Sequence, residues 1–74
     1  MAQAQFEIVE QIHQFPSPEG SQWHKELNKV SWFGKDPKYD IRDWTENHGK
    51  AGRGITLTES ELRELVEAVE EILY

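Results

Sequence analysis

With 74 residues, no cysteine and a net charge of -6, the chain has room for one small domain and cannot be stapled by disulfides or thiolate zinc sites. A chain this short buries only ~60% of the surface its unfolded form exposes, so association with a second copy is the expected remedy. Met1 to Glu7 lacks a basic n-region and an apolar h-region, and no apolar run approaches the ~20 residues of a membrane-spanning helix, so a soluble, cytoplasmic protein with no membrane partner is expected.

The first element is a strand over Phe6 to Phe15, with Phe6, Ile8 and Ile12 on one parity and Val9 and Phe15 blurring it. Pro16-Ser17-Pro18-Glu19-Gly20-Ser21 reads as a turn. A second extended run covers Trp23 to Phe33, and its parity slip between Leu27 and Val30 predicts a bulge near Asn28-Lys29. After the turn Gly34-Lys35-Asp36-Pro37, Lys38 to Trp44 is a third strand, with Tyr39 and Ile41 on one face and Lys38, Asp40, Arg42 and Trp44 on the other. Thr45 to Gly54 reads as a loop, and Ile55-Thr56-Leu57 as a short fourth strand.

Thr58-Glu59-Ser60-Glu61 fits a capping box, with Thr58 as N-cap and Glu61 reaching back. Leu62, Leu65, Val66, Val69, Ile72 and Leu73 then follow helical spacing, and glutamates cover the rest. The predicted fold is α+β: a four-stranded curved antiparallel sheet followed by one C-terminal helix, β-β-β-β-α, as a homodimer. Residues 1–74 form a single domain in this reading, with the sheet in 6–57 and the amphipathic helix in 58–73. The helical stripe is the expected dimer contact.

Charge is segregated along the chain. Residues 58–74 hold six acids and one base, whereas residues 20–57 hold seven bases and five acids. A modest positive surface can therefore coexist with an acidic one that faces elsewhere. One helix can cover only one face of a sheet. The other face is expected to stay open and to carry Lys38, Arg42 and Trp44.

Single-stranded nucleic acid asks a protein for cations along its phosphates and flat apolar surfaces for its bases. Trp23, Trp32 and Trp44 interleave with Lys25, Lys29, Lys38 and Arg42 on adjacent predicted strands. A guanidinium beside an indole can hold a phosphate while the indole receives the neighbouring base. Packing in the core or at a dimer contact is the competing role for any one of these tryptophans. Lys50-Ala51-Gly52-Arg53-Gly54 adds two cations on a glycine-rich segment, although its spacing matches neither a P-loop nor a dinucleotide fingerprint. The candidate nucleic-acid contacts are Trp23, Lys25, Asn28, Trp32, Lys38, Arg42, Trp44, Lys50 and Arg53.

Chemistry is not expected. His13, His24 and His48 have no metal-ligand spacing. Of Asp36, Asp40 and Asp43, the last two point to opposite faces of one strand, which favours salt bridges over a nuclease metal cluster. The reading is of a non-enzyme with no cofactor, no metal, no catalytic residue and no small-molecule substrate.

Asp40-Ile41-Arg42-Asp43-Trp44, followed by Lys50-Ala51-Gly52-Arg53-Gly54-Ile55-Thr56-Leu57 and an acidic helix, resembles the positive cofactor four family of transcriptional coactivators. The sequence is more similar still to the bacterial YdbC-like, single-stranded-DNA-binding branch. Lys25-Glu26-Leu27-Asn28, Val30-Ser31-Trp32, Pro37-Lys38-Tyr39-Asp40-Ile41-Arg42 and Gly54-Ile55-Thr56-Leu57 carry that similarity, which spans Phe6 to Leu73. The resemblance implies a homodimer joined through helices and strand edges. Its basic and aromatic ridges would hold single-stranded DNA with little sequence preference, in transcription, replication or repair. It puts Arg42 on the DNA-contacting arginine, Trp44 near the stacking aromatic, Arg53 on a loop cation and Lys50 near another. A protein-interaction module and an RNA-binding module, each using the same open face, are the alternatives.

Overall fold

From Lys38 to Arg42 polar and apolar side chains alternate, and the segment Lys38–Trp44 forms a strand. The computed structural model describes residues 5–74; residues 1–4, which the sequence reading includes in the domain, lie outside the described residues. The elements are β1 (Phe6–Gln14), β2 (His24–Trp32), β3 (Lys38–Trp44), β4 (Ala51–Leu57) and α1 (Glu59–Leu73), with a short 3-10 turn at Glu46–His48 before β4. The four strands lie in chain order in one antiparallel sheet. The expected β-β-β-β-α order is the observed one.

Two local expectations differ. β2 pairs with β3 in unbroken register from His24↔Trp44 to Val30↔Lys38, so there is no bulge at Asn28-Lys29. The irregularities fall on β1 instead, between Ile8 and Glu10 and between Gln11 and His13. Each inserts one residue into β1, which explains its blurred parity: Val9 and Ile12 are the displaced residues, and both are exposed. The glycine-rich segment is also not a loop. Ala51-Gly52-Arg53-Gly54 continues the fourth strand, with a register shift opposite Arg42 and Trp44.

The helix begins as expected. Thr58 Oγ1 accepts from Glu61 N at 3.1 Å, and Glu61 Oε1 accepts from Thr58 N at 2.9 Å. Its contact with the sheet is confined chiefly to β3 and β4, and none of its residues is buried. Leu62 and Val69 are half-buried, whereas Leu65, Val66, Ile72 and Leu73 are exposed. No helix among the described residues is long and apolar enough to cross a membrane.

Burial is concentrated on the sheet face that carries Trp44. Val30 and Trp44 are its fully buried apolar residues, and Glu26, Asn28 and Asp40 are buried beside them. The opposite face carries Leu27, Tyr39, Ile41 and Leu57, all half-buried, with Ile55 exposed. The expectation of an open Lys38–Arg42–Trp44 face is therefore corrected. The interior forms on that face because rings from β1, β2 and the 3-10 turn converge over Trp44.

Candidate nucleic-acid interface

Trp44 shows why two of the expected contacts are structural. Its ring lies 5.0 Å from Phe6, 6.4 Å from Trp32 and 5.1 Å from His48. The Trp32 and Trp44 planes are within 7° of parallel, while His48 meets Trp44 edge-on. With 0% of its surface exposed, Trp44 cannot stack on a base without opening this cluster. Trp32 is half-buried and keeps one outer contact, the guanidinium of Arg42, 4.8 Å from its ring centroid.

Arg42 is likewise committed. Its Nε donates to Asp40 Oδ1 at 3.0 Å, Nη2 to Asp40 Oδ2 at 3.0 Å and Nη1 to the Gly52 carbonyl at 2.9 Å. Thr56 Oγ1 donates to Asp40 Oδ2 at 3.1 Å, so the fully buried Asp40 is satisfied from both neighbours. Gly54 permits the close approach: a Cβ there would come within 2.5 Å of Arg42 Cβ. The Asp40-Ile41-Arg42 run thus forms an internal ion pair, two residues apart on one strand face. Arg42 is half-buried and held by these internal partners rather than standing free.

Asn28 is held in the same way. It is buried, and its Nδ2 donates to Glu26 Oε1 at 2.8 Å. Glu26 also receives His48 Nε2 at 2.8 Å and His24 Nε2 on its other oxygen. Burial pushes the Glu26 carboxyl up, but the hydrogen bonds from Asn28, His48 and His24 outweigh it and hold the group below its ordinary value. His24 and His48 are far apart in sequence and meet only because the 3-10 turn folds back over β2; spacing could not reveal this. Among the described residues no cluster of three His, Asp or Glu side chains is arranged to hold a metal ion.

The remaining candidates lie at the surface. Lys38, Lys50 and Arg53 are exposed, and none makes an ion pair among the described residues. Lys25 donates to Asp43 Oδ1 at 2.9 Å, the two being paired directly across β2 and β3. Trp23 is half-buried at the end of the sheet, on the face opposite Trp44. Its backbone is fixed by the β1–β2 turn: Ser17 Oγ donates to Trp23 O at 2.9 Å, and Trp23 N donates to Ser21 Oγ at 3.0 Å. Gly52 leaves room for the indole, since a Cβ there would come within 2.7 Å of Trp23 Cζ3. The nine candidates are thus divided into an interior set (Asn28, Trp32, Arg42, Trp44) and an outer set (Trp23, Lys25, Lys38, Lys50, Arg53).

Residues 20–68 match the family model described as Transcriptional Coactivator p15 (PC4). A protein of Treponema pallidum (strain Nichols), described as uncharacterized, is 46% identical over 46 residues, which is 62% of this chain and 54% of that protein. The chain spans about half the length of that relative. The matched region holds β2, β3, β4 and most of α1, hence the Asp40–Arg42 pair, the Glu26 cluster and the outer cations. This chain belongs to the transcriptional coactivator p15 (PC4) family.

Proposed function

We propose that the chain binds single-stranded DNA with little sequence preference, as a homodimeric β-saddle, in the cytoplasm and in the service of transcription, replication or repair. Family membership supports a nucleic-acid-binding reading. The observation that carries it is the outer set: three cations without ion-pair partners among the described residues, Arg53 on β4, Lys50 just before it and Lys38 on the Trp44 face, with a half-buried Trp23 on the opposite face of a sheet left largely uncovered by its helix. Cations without acidic partners are available to phosphates, and an accessible indole offers a base ~1–3 kcal/mol of stacking irrespective of its identity. Binding is attributed to the outer set, and the interior set keeps the sheet in shape beneath it.

Two features support a dimer. The accessible surface is 6037 Å², whereas a compact monomer of this mass exposes about 4,700 Å². The excess is larger than the ~800 Å² that each partner contributes to a standard interface. The apolar helix stripe through Leu62, Leu65, Val66, Val69, Ile72 and Leu73 has no cover within the subunit sufficient to bury any of its residues.

Titration with oligo-dT, followed by tryptophan fluorescence at low salt, tests the reading. Quenching is expected, with affinity falling as salt rises by a log-log slope of ~-0.7 per phosphate contact. Alanine at Lys50 and Arg53 should flatten that slope. No binding at low salt, or equal affinity for blunt duplex, would refute it, and equal affinity for an RNA strand would widen the ligand class to RNA.

A further inference from the structure

Two grooves of 340 and 330 Å³ meet at Trp23, on the sheet face away from Trp44. Phe15, Pro16 and Pro18 from the β1–β2 turn form the apolar side of one, and Gly52 and Arg53 of β4 border the other; Trp23 and Asp43 line both. The slot is built around the two shared residues. Ser17 and Ser21 hold the Trp23 backbone, Gly52 admits its ring, and Lys25 holds one Asp43 oxygen. Asp43 Oδ2 makes no hydrogen bond among the described residues, and the side chain is 36% exposed.

A carboxylate only accepts hydrogen bonds. Beside a stacking surface it discriminates among bases: cytosine, adenine and guanine carry an exocyclic amine that can donate to it, whereas thymine has no exocyclic amine and offers only its N3–H, flanked on both sides by carbonyl oxygens that repel a carboxylate. Lys25 offsets the carboxylate charge, and Arg53 at the slot rim has no acidic partner, so a phosphate can pass beside Asp43. Resting on the single-strand reading above, we propose that the Trp23 slot is a nucleobase subsite selecting a base with an exocyclic amine, cytosine over thymine, through stacking on Trp23 and a hydrogen bond to Asp43 Oδ2. The subsite imposes a local base preference on an otherwise sequence-tolerant strand.

The test compares fluorescently labelled oligo-dC and oligo-dT of equal length on the full chain, by anisotropy at neutral pH. Two pyrimidines keep ring size equal, so the difference reports the amine. Oligo-dC should bind about fivefold more tightly. Strands of N4,N4-dimethylcytosine, which lack the donor but leave the protein unaltered, should bind no better than oligo-dT. Asp43→Ala should bring the two homopolymers within about twofold, and Trp23→Ala should weaken both by at least about fivefold. Equal affinity for oligo-dC and oligo-dT, or a preference that survives N4-dimethylation, overturns the subsite while leaving the single-strand reading intact. Failure of the wild-type chain to bind either strand overturns that reading itself.

Discussion

Asp40 and Arg42 carry opposite charges on one strand face, and the consequence depends on what lies above them. Asp40 is fully buried and Arg42 is its principal counter-ion, with the Gly52 carbonyl and the Trp32 ring taking up the rest of the guanidinium. Arg42→Ala leaves a buried carboxylate without its partner and should cost about 3–5 kcal/mol in denaturant unfolding. A variant of wild-type stability that had lost only its DNA affinity would contradict that assignment. Trp44→Ala should cost a similar ~3–5 kcal/mol through the cavity it leaves. Trp44→Phe should cost less, because Trp44 Nε1 makes no hydrogen bond among the described residues. The two strand glycines separate stability from binding. Alanine at 54 would meet the Ile41 and Arg42 backbone within 2.6 Å, which cannot easily yield, whereas alanine at 52 would meet chiefly the far edge of the Trp23 ring, which can swing away, and press only lightly, at 3.2 Å, on Asp43. Gly54→Ala should therefore lower the unfolding midpoint, and Gly52→Ala should chiefly lower oligonucleotide affinity.

At the scale of elements, the 3-10 turn at Glu46–His48 is held in an unusual backbone. Asn47 and His48 have φ of 56° and 55°, a left-handed conformation that costs a histidine about 1–3 kcal/mol and persists only where its surroundings enforce it. Glu26 supplies that enforcement by receiving His48 Nε2, and Trp44 backs the same imidazole. Because the Glu26 carboxyl titrates below its ordinary value in the folded chain, the folded chain binds this proton more weakly than the unfolded chain does. Its stabilisation is therefore full above the ordinary glutamate value and is lost as pH falls through the lower folded value. Thermal unfolding from neutral to acid pH should show this loss. Glu26→Gln should be less stable at neutral pH by about 1–3 kcal/mol and should show a shallower acid decline. An unchanged acid limb in the variant would remove Glu26 from the account. The helix start is simpler: Thr58→Ala loses the reciprocal cap and should cost ~1 kcal/mol.

For the whole molecule, the principal extents of 48 × 34 × 17 Å describe a thin body. Its helix contacts chiefly β3 and β4, and much of its apolar stripe is left open, Ile72 being 76% exposed. If a second copy covers that stripe, stability is linked to protein concentration. The unfolding midpoint of the wild-type chain should rise with concentration, and Leu65→Lys with Ile72→Lys should convert a sedimenting dimer to a monomer and abolish the dependence. Both side chains are exposed in the single subunit, so the substitutions remove little of its own packing.

The sequence by itself determined the order of elements, the alternation of Lys38–Arg42 and the cap at Thr58. These rest on contacts within a few residues, which spacing and residue type encode directly. It also marked the bases and indoles as a group, and the resemblance carried by Asp40-Ile41-Arg42 and Gly54-Ile55-Thr56-Leu57 led to the right family. Only the tertiary structure decided which of those side chains meet solvent. Parity says that Arg42 and Trp44 share a face; it does not say that Phe6, Trp32 and His48, from three other segments, close over them. The bulges on β1, the joining of His24 and His48 at Glu26, and the seating of Trp23 on Gly52 are all contacts between distant stretches of chain. Burial is a property of such long-range closures. The sequence therefore defined the candidates, and the fold sorted them into those that build the sheet and those left at its surface.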